Sequence, residues 1–154
     1  MLVELFDDAI GWLVAQGQPE QWGSEPLAGS VAGREFGAAL AGSGGLWIAE
    51  RDREAVGALV LGAEAPEYAP EIDQPEVYIE WLLTRRRYAG QGLGARLIAL
   101  AIREARARGC EVLRVDCWAG ASGLVDWYQR QGFTPVGQYE RRGLTGQIFS
   151  MSLT

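Results

Sequence analysis

The chain has 154 residues, 48% hydrophobic and 22% charged, an ordinary balance for one globular domain spanning 1–154. Its formal charge of −6 argues against a general nucleic-acid or anionic-membrane binder, while clustered arginines leave room for a local anion site. There is no histidine, lysine or asparagine, so all 14 basic residues are arginine, and a histidine triad, a His-ligated metal, a lysine Schiff base and a Walker-type P-loop are excluded.

Leu2, Leu5, Phe6, Ile10, Leu13 and Val14 recur at helical spacing over 2–16, with Gly17 as a stop. Residues 18–30 read as a loop carrying Trp22, and a short helix is expected around Arg34–Ala41, ended by Gly42-Ser43-Gly44-Gly45. Leu46–Glu50 and Ala55–Leu61 flank the polar turn Arg51-Asp52-Arg53-Glu54 and read as a hairpin. A proline-rich surface loop over 62–76 leads to the strand Val77–Thr84. Next come three arginines, a loop with Gly90, Gly92 and Gly94, and a helix over 92–108. Leu93, Leu97, Ile98, Ala101, Ile102 and Ala105 make that helix's apolar face. A strand at Glu111–Trp118, a helix at Gly123–Gln131 stopped by Gly132, and strands at Val136–Glu140 and Gln147–Leu153 complete the pattern. No run is long and apolar enough for a membrane span and no secretory pattern opens the chain, so a soluble cytoplasmic protein is the default. Cys110 and Cys117 cannot build a zinc site by themselves, and no metal is expected.

The most telling stretch is the apolar strand that runs through Arg85, Arg86 and Arg87 into the glycine loop and helix. Glycines let the backbone turn tightly, and the unpaired amides of a helix's first turn suit a phosphate. A dinucleotide fold needs G-x-G-x-x-G after an early strand. Here the spacing is G-x-G-x-G, midway along the chain and after a hairpin.

The order strand, glycine loop, helix, strand, helix, Gly-Phe, two strands resembles the GNAT-type N-acetyltransferase superfamily. Ala89-Gly90-Gln91-Gly92-Leu93-Gly94 is similar to that family's Arg/Gln-x-x-Gly-x-Gly/Ala loop. Trp127-Tyr128-Gln129-Arg130-Gln131-Gly132-Phe133 is similar to its Leu-Tyr-x-x-x-Gly-Phe segment. The resemblance covers about 77 to 140 most closely. It implies an α/β (α+β) fold with a central mixed, mostly antiparallel sheet flanked by helices, and acetyl-CoA as co-substrate. Leu82, Leu83 and Thr84 would pair through backbone groups with the pantetheine arm, where the strand splays from its neighbour. Gly90, Gln91, Gly92, Leu93, Gly94 and Ala95 would surround the pyrophosphate. Arg85, Arg86 and Arg87 either touch the nucleotide's phosphates or form a solvated turn. Ala89 stands where the family has Arg or Gln, and Ala121 where it often has Asn, so two side-chain contacts to the cofactor are absent.

The activity implied is transfer of an acetyl group to a primary amine by direct attack in a ternary complex. Tyr128, at the family's tyrosine position, is the candidate acid; the alternative is a tyrosine packed against the sheet. Glu80 is the candidate base, because an acid inside the run Val-Tyr-Ile-Glu-Trp-Leu-Leu is costly to bury; the alternative is pairing with an arginine. Trp22, Glu80 and Tyr139 are candidate acceptor-binding residues, with Glu25, Glu35, Phe36 and Glu140 nearby in the same segments; acids and aromatics suit a cationic amine. Such chains usually open with a strand, and here that first strand is lacking or the natural start lies upstream. Its loss would leave an unpaired edge near Leu46–Glu50, which a partner chain, as in a homodimer, or a loop is expected to cover. The rival from another class is a non-catalytic acyl-CoA-binding module.

Overall fold

The computed structural model describes Glu4, Asp7, Asp8 and residues 31–154. The helix expected over 2–16, the loop with Trp22 and the missing first strand lie outside the described residues.

In chain order the described elements are α1 (Val31–Gly42), β1 (Leu46–Arg51), β2 (Glu54–Gly62), β3 (Glu76–Thr84), a single 3-10 turn (Arg86–Tyr88), α2 (Leu93–Ala107), β4 (Val112–Trp118), α3 (Ser122–Arg130), β5 (Thr134–Arg141) and β6 (Leu144–Ser152). The six strands form one open sheet in the order β1-β2-β3-β4-β6-β5. The pairs β1/β2, β4/β6 and β5/β6 are antiparallel, whereas β3/β4 is parallel. Parallel neighbours need a crossover, and α2 lies in the connection between β3 and β4. This is the mixed, mostly antiparallel α/β fold that the element order implied.

Both hairpins turn through two residues with positive φ, Asp52 (50°) with Arg53 (66°) and Arg142 (54°) with Gly143 (78°). That geometry matches the twist of the strands it joins. The last two strands are longer than expected. Pro135 and Gly137 look like strand breakers, but β5 is an edge strand with a register shift between them, and an edge or bulge tolerates proline.

The chain divides into two compact units, Met1–Val60 with Trp81–Leu97, and Leu61–Glu80 with Ile98–Thr154. In the first, Leu40, Ala55, Ala58, Val60 and Leu83 form a buried cluster against which Leu46, Ile48 and Trp81 pack. In β2 every residue from Ala55 to Leu61 is buried, the mark of a strand covered on both faces.

In the second unit, α3 ends in a way that explains its Tyr-x-x-x-Gly-Phe spacing. Gly132 adopts φ 102°, its amide donates to the Gln129 carbonyl at 3.0 Å, and the Phe133 amide donates to the Tyr128 carbonyl at 3.2 Å. This pair of bonds closes the helix and turns Phe133 back onto Tyr128, ring to ring at 5.7 Å. A polar hub lies in the same unit. The hydroxyls of Tyr78 and Tyr68 donate to Asp116 Oδ2 at 2.6 and 3.3 Å, and that of Tyr139 donates to Oδ1 at 2.7 Å. Tyr68 stacks on Tyr139 with centroids 4.3 Å apart. Burial first, then the Asp116 charge, pushes Tyr68 up to about 12, and the same two causes raise Tyr78. Burial, followed by the bond to Asp116, raises Tyr139. All three phenols therefore remain donors at neutral pH. Beside the hub, Arg114 is buried and gives Glu76 a two-pronged pair at 2.7 and 2.8 Å.

Asp116 thus ties the 63–75 loop, through Tyr68, and the edge strand β5, through Tyr139, to the middle of the sheet. Asp116→Asn removes one acceptor oxygen and the charge on the other. It is expected to cost about 2–3 kcal/mol in denaturant unfolding with an unchanged m-value. A loss below about 0.5 kcal/mol would mean that the hub contributes no more than an ordinary surface contact.

Candidate functional site

The registered pairs between β3 and β4 run from Glu76↔Val112 to Ile79↔Val115 and then stop, although β3 continues to Thr84 and β4 to Trp118. Leu83 is buried in the first unit's core, while Leu82 and Thr84 are half-buried.

The glycine loop follows directly. The amides of Tyr88 and Ala89 donate to the carbonyls of Arg85 and Arg86 at 3.1 and 3.0 Å, and the Gln91 amide donates to Tyr88 at 3.3 Å. Gly90 and Gly92 both have φ 79°, and a Cβ on either would meet open space. It is the backbone conformation, and not crowding, that calls for glycine. The Gly92 carbonyl accepts the Arg96 amide at 3.1 Å and starts α2. The first-turn amides at Leu93, Gly94 and Ala95 have no intrahelical acceptor, and the helix dipole adds to their preference for an anion.

The three arginines are already engaged. Arg85 Nε donates to the Ala55 carbonyl at 2.8 Å and pairs with Glu54 at 3.2 Å, and its Nη2 reaches Glu4 at 3.5 Å. Arg87 pairs with the same Glu54. The Arg86 amide donates to Asp8 at 2.8 Å. Arg51 reaches Gln91 Oε1 at 2.8 Å and lies over the Tyr88 ring at 4.9 Å. Arg85 and Arg87 thus brace the loop against β2 through Glu54, a role that neither of the two sequence readings contained.

In the second unit, Glu80 follows the last β3/β4 pair. Among the described residues no arginine pairs with it. Its side chain lies against Gly62 so closely that a Cβ there would be 2.9 Å from Glu80 Cδ. The residue is exposed overall, yet burial of its carboxyl raises it above the usual carboxylate range. Tyr128 is buried at 4% exposure among Trp127, Phe133 and Phe149, at ring distances of 5.0, 5.7 and 5.4 Å. Burial, then Cys117 and Asp116, raises it strongly, so the phenol stays protonated. Its hydroxyl makes no hydrogen bond among the described residues. Cys117 is buried and pushed up to about 12, first by burial and then by Asp116, as an inert thiol would be.

Tyr139 is half-buried with its hydroxyl on Asp116, and its ring occupies the space a side chain at Gly146 would need. Glu35 and Glu140 are exposed. Trp22, Glu25 and the side chain of Phe36 lie outside the described residues. The residue that sequence reasoning missed is Asp116. It sits in the apolar strand Val-Leu-Arg-Val-Asp-Cys-Trp, where the reasoning that selected Glu80 applies equally.

The family model for the acetyltransferase (GNAT) family matches residues 7–133. A curated relative, the uncharacterized N-acetyltransferase YesJ of Bacillus subtilis (strain 168), is 29% identical over 100 residues, which is 61% of this chain and 55% of that protein. The chain thus matches little more than half the length of that relative. Among solved structures, the ribosomal-protein-alanine N-acetyltransferase from Brucella melitensis has a TM-score of 0.68 at 20% identity, over 98% of this chain and 91% of that one. A GNAT family acetyltransferase from Elizabethkingia anophelis with acetyl-CoA bound has a TM-score of 0.58 at 18% identity, over 77% and 82%. With a glycine loop opening a helix, a Tyr-x-x-x-Gly-Phe helix end, and a family model matched over most of its length, this chain belongs to the acetyltransferase (GNAT) family.

Proposed function

We propose that this protein is an N-acetyltransferase that moves the acetyl group of acetyl-CoA to a primary amine by direct attack in a ternary complex. The observation that carries the reading is the end of β3/β4 pairing at Ile79↔Val115, followed at once by the glycine loop and the start of α2. The backbone of Leu82, Leu83 and Thr84 supplies hydrogen-bonding groups for a pantetheine amide chain. Gly90 through Ala95 supply the amides for the pyrophosphate. With Ala89 at the first loop position and Arg85 and Arg87 turned to Glu54, phosphate recognition falls mainly on the backbone.

An alkylamine resembles a lysine, with a pKa of about 10, and must lose a proton before it attacks. Glu80, raised by burial and paired with no arginine among the described residues, takes that proton and passes it to solvent. The amine nitrogen then bonds to the thioester carbonyl carbon, whose oxygen is polarised by backbone amide near Leu83. The C–S bond breaks, the nitrogen sheds its second proton, and one proton reaches the sulfur. Tyr128 is the acid at that sulfur. Because burial holds its proton tightly, it acts first as a hydrogen-bond donor to the departing thiolate. Tyr139 and Glu80 are the acceptor-side candidates, where an aromatic face and a carboxylate favour a cation, and the net charge of −6 attracts one.

An acceptor screen that follows release of free CoA thiol tests the reading. Acetyl-CoA binding without thiol release for any amine would favour a non-catalytic binding module instead. In the active protein, Glu80→Gln is expected to lower kcat/KM about 10²-fold. Since a protonated base cannot accept a proton, activity falls with decreasing pH through the raised Glu80 value, and that acidic limb disappears in the Gln variant. Tyr128→Phe is expected to lower kcat about 10-fold or more with little change in KM. Wild-type rates and pH profiles in both variants would eliminate this mechanism. A separate check concerns the loop. Gly92→Ala forces a side chain into left-handed backbone at a cost of about 1 kcal/mol, and calorimetry should show acetyl-CoA binding weakened roughly fivefold.

A further inference from the structure

Glycine stands at 62 for a reason unrelated to backbone freedom. Its φ is not in the positive range, and it closes β2 in ordinary strand conformation. What leaves no room for a side chain is Glu80. A Cβ at position 62 would lie 2.9 Å from Glu80 Cδ and 3.2 Å from Cγ, and would overlap Oε1. The nearest atoms are the far end of one flexible side chain, so an added methyl group displaces the carboxyl in preference to the backbone. We propose that Gly62 is a positioning residue, whose bare Cα is the seat that fixes where the Glu80 carboxylate sits and keeps it partly out of water. This rests on the reading of Glu80 as the base.

Two consequences separate this from a merely structural glycine. The first is that the cost falls on chemistry and not on folding. Rotating the carboxylate off its seat is easy for the fold, but moving a catalytic group by about 1 Å can cost on the order of 10²-fold in rate. The second is that the effect passes entirely through Glu80, so two substitutions at these positions cannot be additive.

The experiment is a double-mutant cycle of Gly62→Ala and Glu80→Gln, using the amine that turns over fastest in the thiol-release screen. Gly123→Ala serves as the control, because a Cβ there meets nothing within 4 Å. Expected are a fall in kcat of about 10-fold or more for Gly62→Ala, a melting temperature within a few degrees of wild type, and no further loss when Gly62→Ala is added to Glu80→Gln. Full activity in Gly62→Ala, or an equal loss in the Glu80→Gln background, overturns the positioning role. A Gly62→Ala chain that fails to fold overturns it as well, because the seat would then be needed by the backbone. If Glu80→Gln by itself retains wild-type turnover, it is the assignment of the base that fails.

Discussion

The registered pairing between β3 and β4 ends at Ile79↔Val115, and the proposed cofactor and base positions both depend on where that ladder stops. A strand's amides and carbonyls need partners, so strand edge released from a ladder is either solvated or offered to a ligand. Below that point one face of the pair is buried and apolar, with Val77, Ile79, Leu113 and Val115 at or near zero exposure. Immediately above it come Glu80 on one strand and Asp116 on the other. Alternation puts Glu80 on the face of Tyr78, and the pairing of Tyr78 with Arg114 puts Asp116 on that face too.

The arginines illustrate a second constraint. Three consecutive cations beside a phosphate-type loop invite the idea of direct phosphate contact, yet Glu54 draws Arg85 and Arg87 to itself. With a side-chain exposure of 16%, Arg85 is held more firmly than Arg87 at 60%. Exposed ion pairs contribute little to stability. A partly buried guanidinium that also bonds the Ala55 carbonyl instead fixes the path of the chain as it leaves β3. These side chains shape the loop.

Elements with a strong local signal were legible before any coordinates. The apolar stripe of α2 is buried at Leu93, Leu97, Ile98, Ala101 and Ala105, and the hairpins fall where polar turns separate apolar runs. The Gly132 stop was legible too, since a left-handed glycine followed by an aromatic is a local device. The Asp116 hub was not. Its partners come from a loop, a central strand and an edge strand, and Tyr68 is 48 residues away. No periodicity encodes such a meeting. The seat at Gly62 was hidden for the same reason: a strand glycine looks like a weakness until its neighbour across the sheet is known. The fate of the three arginines turned on Glu54, which the sequence showed only as part of a polar turn.

Two carboxylates on one face of a sheet raise the question of which could act as a base, and lone-pair occupancy separates them. A base needs a free lone pair directed at the proton it will take. Asp116 has both oxygens engaged by three phenol hydroxyls that burial keeps protonated. Glu80 has no hydrogen-bond or ion-pair partner among the described residues, and partial burial raises its affinity for a proton. Identical chemical groups on adjacent strands are thus separated by their neighbours: three tyrosine hydroxyls occupy Asp116, whereas Glu80 lies against a bare glycine with no side-chain partner among the described residues.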